Sequence, residues 1–188
     1  KSIKYYKKTI KINPQSEDAH YNFGYVLHKI GDHQKAKIHF ETSIFINPKN
    51  LDAQNNLGLV LTRLGKTEDA IIIFNKIIDN NSNFGKAYFN LYPLLIKNHD
   101  TTKALMCLEK AVSCSPQKTY YQIFLKILLE YSDKNIEYKK KFDTNAGLSN
   151  HNKALLDSWN YIKSKRTDKT KMISSTNNVL QLAKKYSK

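Results

Sequence analysis

Cysteine is nearly absent from this chain: only Cys107 and Cys114 occur. They stand seven residues apart on one helical run, about two turns or ~10 Å, too far for a disulfide in a straight helix. Two thiols with no pairing pattern fit a reducing compartment, so a cytoplasmic location is expected. They read best as small buried hydrophobes. Arginine is almost as scarce, with Arg63 and Arg166 alone against a lysine-rich background. Phosphate and base recognition favours arginine forks, so the scarcity argues against a nucleic-acid partner. No apolar run approaches the roughly eighteen residues of a membrane span; Ile71-Ile72-Ile73-Phe74 is expected to be only a helix face turned to the core. Glycine-rich phosphate loops, GxSxG, HExxH and CxxC are all missing, which leaves no catalytic residue to nominate and no cofactor to expect. The six histidines show no ligand spacing, so no metal site is expected.

The charge is +15 but unevenly spread. Residues 1–16 carry five lysines and no acid, residues 17–116 eleven bases and ten acids, residues 117–150 six and four, and residues 151–188 nine and two. The middle of the chain is nearly neutral and the excess lies at the two ends. Glu17-Asp18 and Glu68-Asp69 look like paired acids. They open helical runs, where carboxylates complement the positive end of the helix dipole, and that reading outweighs a catalytic dyad.

What the chain does have is a period. Ala36, Ala70 and Ala104 recur at an interval of 34, as do Ala19, Ala53 and Ala87, and Asn22, Asn56 and Asn90. The same interval links Gly24 to Gly58, Phe40 to Phe74 and Pro14 to Pro48. One supersecondary unit is repeated about three times. In the first copy, Ala19, Phe23, Val26, Leu27 and Ile30 give helical periodicity; Gly31-Asp32 breaks it; Ala36, Phe40, Ile44 and Phe45 are expected to face inward on a second helix; and Asn47-Pro48 stops it. Each unit is a helix A, a turn and a helix B. Glycine in a helix costs roughly 1 kcal/mol against alanine, so Gly24 and Gly58 mark close approach of a neighbour. Phe40 and Phe74 are expected to fill the space between one unit and the next.

The order Phe23-Gly24, Leu27, Ala36, Phe40, Pro48, then Leu57-Gly58, Leu61, Ala70, Phe74, then Leu91, Leu95, Ala104, Leu108, Pro116 resembles the tetratricopeptide repeat (TPR) family. His20 and Gln54 stand where the signature opens with an aromatic, and only Tyr88 keeps it. The resemblance implies an all-α fold, a right-handed α-solenoid of antiparallel helix pairs. The boundaries read as helix B of a truncated repeat at 1–16, repeats at 17–50, 51–84 and 85–118, a degenerate repeat or capping helices at 119–150, and C-terminal helices with a basic linker at 151–188. With no initial Met and a start in mid-repeat, the chain reads as a fragment. Leu125, Leu129 and Phe142 keep the register of the fourth unit; Leu155, Trp159 and Ile162 line one face of a later helix. A last short helix faintly resembles the lead-in to a methyltransferase domain that follows TPR arrays in some bacterial proteins.

The resemblance also implies a concave groove walled by helix A residues that packing leaves over. These are Tyr21, Asn22 and Tyr25 in the first unit, Asn55, Asn56 and Arg63 in the second, and Lys86, Phe89 and Asn90 in the third. Asn22, Asn56 and Asn90 resemble the asparagine ladder of TPR arrays on O-linked sugar transferases, which grips peptide backbone; the same amides could equally brace neighbouring helices. The carboxylate clamp of chaperone-binding TPR domains is matched only by Asn56 and Lys86, so tight capture of a C-terminal carboxylate is not expected. The function implied is a non-catalytic scaffold that binds an extended peptide or partner segment, with no membrane partner and an oligomeric state left open. The alternative is an accessory domain whose catalytic transferase part (methyl, sulfo or glycosyl) lies beyond residue 188. Pro93, inside the third helix A, predicts a kink near residues 89–93.

Overall fold

The fold is seen in a computed structural model, which describes residues 2–115 together with 117, 119, 120, 123, 124 and 127. The expectations for Leu125, Leu129, Phe142 and everything from 128 onward lie outside the described residues. Among the described residues seven helices are delimited: α1 (Ser2–Ile12), α2 (Glu17–Lys29), α3 (His33–Ile46), α4 (Leu51–Arg63), α5 (Thr67–Asn80), α6 (Gly85–Lys97) and α7 (Thr101–Cys114). The described residues contain no strand.

Local chemistry sets the boundaries. Ser16, Asp32, Asn50 and Asp100 cap α2, α3, α4 and α7, each side chain accepting from the backbone N–H three residues on. Glu17 and Asp18 in α2, and Glu68 and Asp69 in α5, sit in first turns as the dipole favours. Gly31 and Gly65 close α2 and α4 with φ of +88° and +76°, the left-handed region where glycine has no steric penalty. One interval later the same corner holds His99 at φ +60°. Helix α6 continues unbroken from Gly85 to Lys97 with Pro93 inside it, so the proline removes a hydrogen bond without ending the element.

Two compact units divide the chain, 1–94 and 95–188. In the first, α2 packs on α3 and α4 on α5; α1 lies on α2, α3 on α4, and α2 touches α4. Paired helices are thus stacked by their order in sequence. Phe40 and Phe74 are wholly buried, each worth about 2–3 kcal/mol by burial. Their place differs from the expectation. The Phe40 ring lies on Gly24, whose notional Cβ would be 3.1 Å from it, and Phe74 lies on Gly58 at 2.6 Å. They therefore fill the space inside a helix pair, against helix A of their own unit, which is why glycine recurs there. Phe45 and Ile30 also depart from expectation, being 82% and 60% exposed. Ile30 is the C-cap of α2 rather than part of its apolar face. Buried Ser43 holds the inward position assigned to Phe45, because its hydroxyl donates to Glu17 across the pair at 2.7 Å.

In the second unit α7 buries Ala104, Leu105, Leu108, Ala111 and Val112. Cys107 and Cys114 are free thiols. Burial pushes the Cys107 thiol up to about 11, in keeping with an inert packing role.

Candidate functional site

Helix A residues at equivalent positions are tied from one unit to the next. Asn56 Nδ2 donates to the Tyr21 hydroxyl at 3.3 Å, and Asn90 Nδ2 donates to Asn55 Oδ1 at 2.8 Å. Both bonds span 35 residues, so both express one rule: the ladder amide reaches back to the residue before its counterpart in the preceding unit. Lys86 reaches Asp52 at 2.7 Å between the same pair of helices. Each bond exists because the repeat sets successive A helices side by side in register.

Asn22 behaves differently. Its amide turns back on its own helix and donates to the Asp18 carbonyl at 2.8 Å. The three asparagines are therefore not three equal rungs in this state. Asn56 and Asn90 brace neighbouring helices through one N–H each, and each has a carbonyl oxygen that accepts no bond from the described residues. Asn55 is nearly closed off, with 5% exposure; its role is to accept from Asn90.

Burial, and then the negative charge of Asp52, raise the Tyr21 phenol above its ordinary value. It stays neutral and, while accepting from Asn56, retains an O–H to donate. Tyr25 is 42% exposed, with the Lys29 ammonium 5.2 Å above its ring. Arg63 is exposed in the last turn of α4, as Lys29 is in α2. Phe89 lies 5.4 Å from Tyr92, ring to ring. Of the nine expected groove residues, Tyr21 is thus bonded to Asn56 and Asn55 to Asn90, Arg63 stands at the C-terminal end of α4, and Lys86 stands at the start of α6, paired with Asp52.

The sequence gives little hint of two histidine pairs. His20 and His39 face each other through Nδ1 at 3.1 Å, and His28 and His33 at 3.3 Å. The Pro14 carbonyl, which can only accept, lies 3.1 Å from His20 Nε2. The proton of neutral His20 is therefore on Nε2, and His39 donates through Nδ1. Gln54 takes the place of His20 one unit later, its amide donating to the Pro48 carbonyl at 2.7 Å. The position left without its signature aromatic is thus a clasp on the preceding turn. Burial lowers the pKa of both His39 and His28, helped by His20 for the first and by His33, Lys29 and Arg63 for the second. Among the described residues no group of three or more His, Cys, Asp or Glu side chains could hold a metal ion. None of their helices is long and apolar enough to cross a membrane.

Two tetratricopeptide-repeat family models match the chain, over residues 5–38 and 51–84. Solved structures are similar to it as well. MamA shares 22% identity at a TM-score of 0.62, covering 74% of this chain and 83% of its own. A form of MamA from Desulfovibrio magneticus RS-1 shares 20% at 0.61, covering 73% and 78%. YrrB shares 20% at 0.56, covering 70% and 69%. No curated protein matches the chain.

Proposed function

Because the chain is a tetratricopeptide-repeat protein, a kind of array that serves as a protein-interaction scaffold, we propose that its A-helix wall docks an extended segment of a partner protein. The observation that carries this reading is the recurring bond between A helices, Asn56 to Tyr21 and Asn90 to Asn55. It fixes a row of polar groups at one-repeat spacing and leaves amide acceptors and a phenol donor for a guest. An extended backbone offers N–H and C=O groups in alternation, which such a row can pair with whatever the side chains are. YrrB, of the same fold, is described as a TPR protein with an unusual peptide-binding site, which favours a peptide as guest.

Charge selects the segment. Lys29 and Arg63 stand in the last turns of α2 and α4, so an acidic residue in the guest is favoured at the end where the A helices finish. Tyr25 supplies a flat apolar face of the kind that dominates binding energy. Isothermal titration against a library of extended peptides, acidic and basic, tests the reading. Replacing Asn22, Asn56 and Asn90 with Ala is expected to weaken binding at least about tenfold, roughly one lost hydrogen bond's worth. Unchanged affinity in a triple variant with native circular dichroism would remove these residues from the site.

A further inference from the structure

Arg63, the one arginine among the described residues, stands at a corner that gathers bases. His28, in the last turn of α2, and His33, at the start of α3, face each other through Nδ1 at 3.3 Å across the Gly31 turn. Lys29 follows His28, and Arg63 holds the place of Lys29 one repeat later. Burial first, and then the charges of His33, Lys29 and Arg63, lower the His28 pKa. Helices α2, α3 and α4 thus bring their bases within reach of one imidazole. No ion pair holds Lys29 or Arg63 among the described residues; Lys29 lies over the Tyr25 ring instead. The acid beside His33 is Asp32, and Lys35 already engages its carboxylate at 2.6 Å.

Packing does not demand this cluster. The second repeat turns the same corner with Thr62 and Thr67 where the first has His28 and His33. Thr62 donates to the Gly58 carbonyl of its own helix at 2.9 Å, and α4 packs on α5 all the same. As a hydrogen bond the histidine pair is poor, its 3.3 Å lying beyond the roughly 2.7–3.2 Å of a good N–H donor bond. Two half-buried imidazoles beside two cations without an acidic partner repel one another. An anion set among them removes that repulsion.

We infer that this corner is an oxyanion site whose occupant is a phosphate group carried by the docked segment. The inference deepens the extended-segment reading, and the source of the phosphate rests on that reading. The corner lies at the end of the A helices, where an acidic residue of the guest is favoured. Charge chooses phosphate over carboxylate. Lys29 and Arg63 alone bring two positive charges, more than one carboxylate balances. A phosphate monoester carries about −1.5 to −2 and offers three strong acceptor oxygens. The guanidinium fork of Arg63 suits two of them. In the neutral histidine pair one Nδ1 carries the shared proton and the other accepts it; a second proton makes every ring nitrogen a donor. An anion here opposes the charges that hold His28 down, so anion binding and His28 protonation strengthen each other. Affinity for a dianion of fixed charge therefore rises as pH falls through about 6.5, the ordinary imidazole value.

The probe for the corner is sodium sulfate, a tetrahedral dianion that does not titrate near neutral pH, set against sodium chloride at equal ionic strength. NMR of the imidazole Cε1–H groups in the whole chain reads it. Sulfate is expected to saturate in about the millimolar range and to raise the His28 pKa by about one unit, while chloride does neither. Arg63→Gln, at an exposed position, is expected to remove the response. His28→Thr with His33→Thr, the residues of the second repeat, is expected to abolish the pH dependence of sulfate binding in isothermal titration. For the source, extended peptides that differ at one residue, phosphoserine, glutamate or serine, are titrated in the same way. The phosphoserine peptide is expected to bind about tenfold or more tightly than the glutamate peptide, and Arg63→Gln to cancel the advantage. A response to sulfate no larger than to chloride, or a full response in Arg63→Gln, would overturn the oxyanion site. Equal binding of the phosphoserine and glutamate peptides would overturn phosphate as the occupant and leave the groove standing. A full sulfate response with no peptide bound would sink the extended-segment reading, and with it the source of the phosphate, while the oxyanion site stands.

Discussion

Alanine at Gly58 and alanine at Gly24 are the same substitution at equivalent points of two repeats, yet they are expected to differ in outcome. Each gains about 1 kcal/mol of helix propensity. At Gly24 the new Cβ would stand 3.1 Å from the Phe40 ring and 3.3 Å from the Ala36 carbonyl oxygen. A shift of a few tenths of an ångström accommodates it, so overpacking and propensity roughly cancel and the change stays within about 0.5 kcal/mol. At Gly58 the Cβ would come within 2.6 Å of Phe74 Cε1 and Cζ. The ring is wholly buried, so it cannot swing out to solvent. The cost then lies at the upper end of overpacking, about 3 kcal/mol, for a net loss of about 2 kcal/mol. Urea unfolding followed by circular dichroism at 222 nm, the wavelength standard for helix loss, reads both. Phe74→Leu is expected to relieve Gly58→Ala, so that the double variant is more stable than the sum of the two singles. Gly58→Ala at or above wild-type stability, or Gly24→Ala costing more than Gly58→Ala, would refute the close-approach argument.

Phe40→Ala is expected to cost about 3–5 kcal/mol while Phe45→Ala, five residues on in the same helix, stays within about 0.5 kcal/mol, since the first ring is wholly buried and the second is 82% exposed. His99→Gly is expected to stabilise by about 1 kcal/mol in thermal unfolding, because φ +60° strains any residue with a Cβ; no gain would mean that the imidazole compensates the strain. Stability is expected to fall as pH drops below about 6.5, the ordinary imidazole value. Burial holds the folded pKa of His39 and His28 below it, so the unfolded chain binds protons first and stability rises with pH through that window and levels off above it. His39→Gln, which keeps a donor toward His20, is expected to flatten the melting temperature between pH 5.5 and 7.5, and an unchanged slope would clear the pair of responsibility. Cys107 is expected to react with iodoacetamide at pH 8 far more slowly than a free thiol, as its value of about 11 requires.

Helix pairing was legible in the sequence because it rests on spacing. A glycine opposite a phenylalanine in two successive repeats, 34 residues apart, is a steric instruction that survives changes elsewhere, and the corners at Gly31 and Gly65 are conformational ones. Facing was less legible: period alone cannot tell whether Phe45 or Ser43 turns inward, since a hydroxyl with a cross-helix partner such as Glu17 competes with an aromatic that lacks space. Pro93 did not end the third helix A: α6 runs on to Lys97 with Leu91 and Leu94 buried on either side of the proline, whose cost is local. The candidate site was legible as positions and illegible as bonds. That Asn22, Asn56 and Asn90 recur is visible in the letters; that two of them reach back to the preceding A helix while the first donates to the Asp18 carbonyl of its own helix depends on what stands beside each. Spacing therefore carries the architecture of a repeat protein, while the partner that each recurring side chain takes is set by the particular residues of the neighbouring unit.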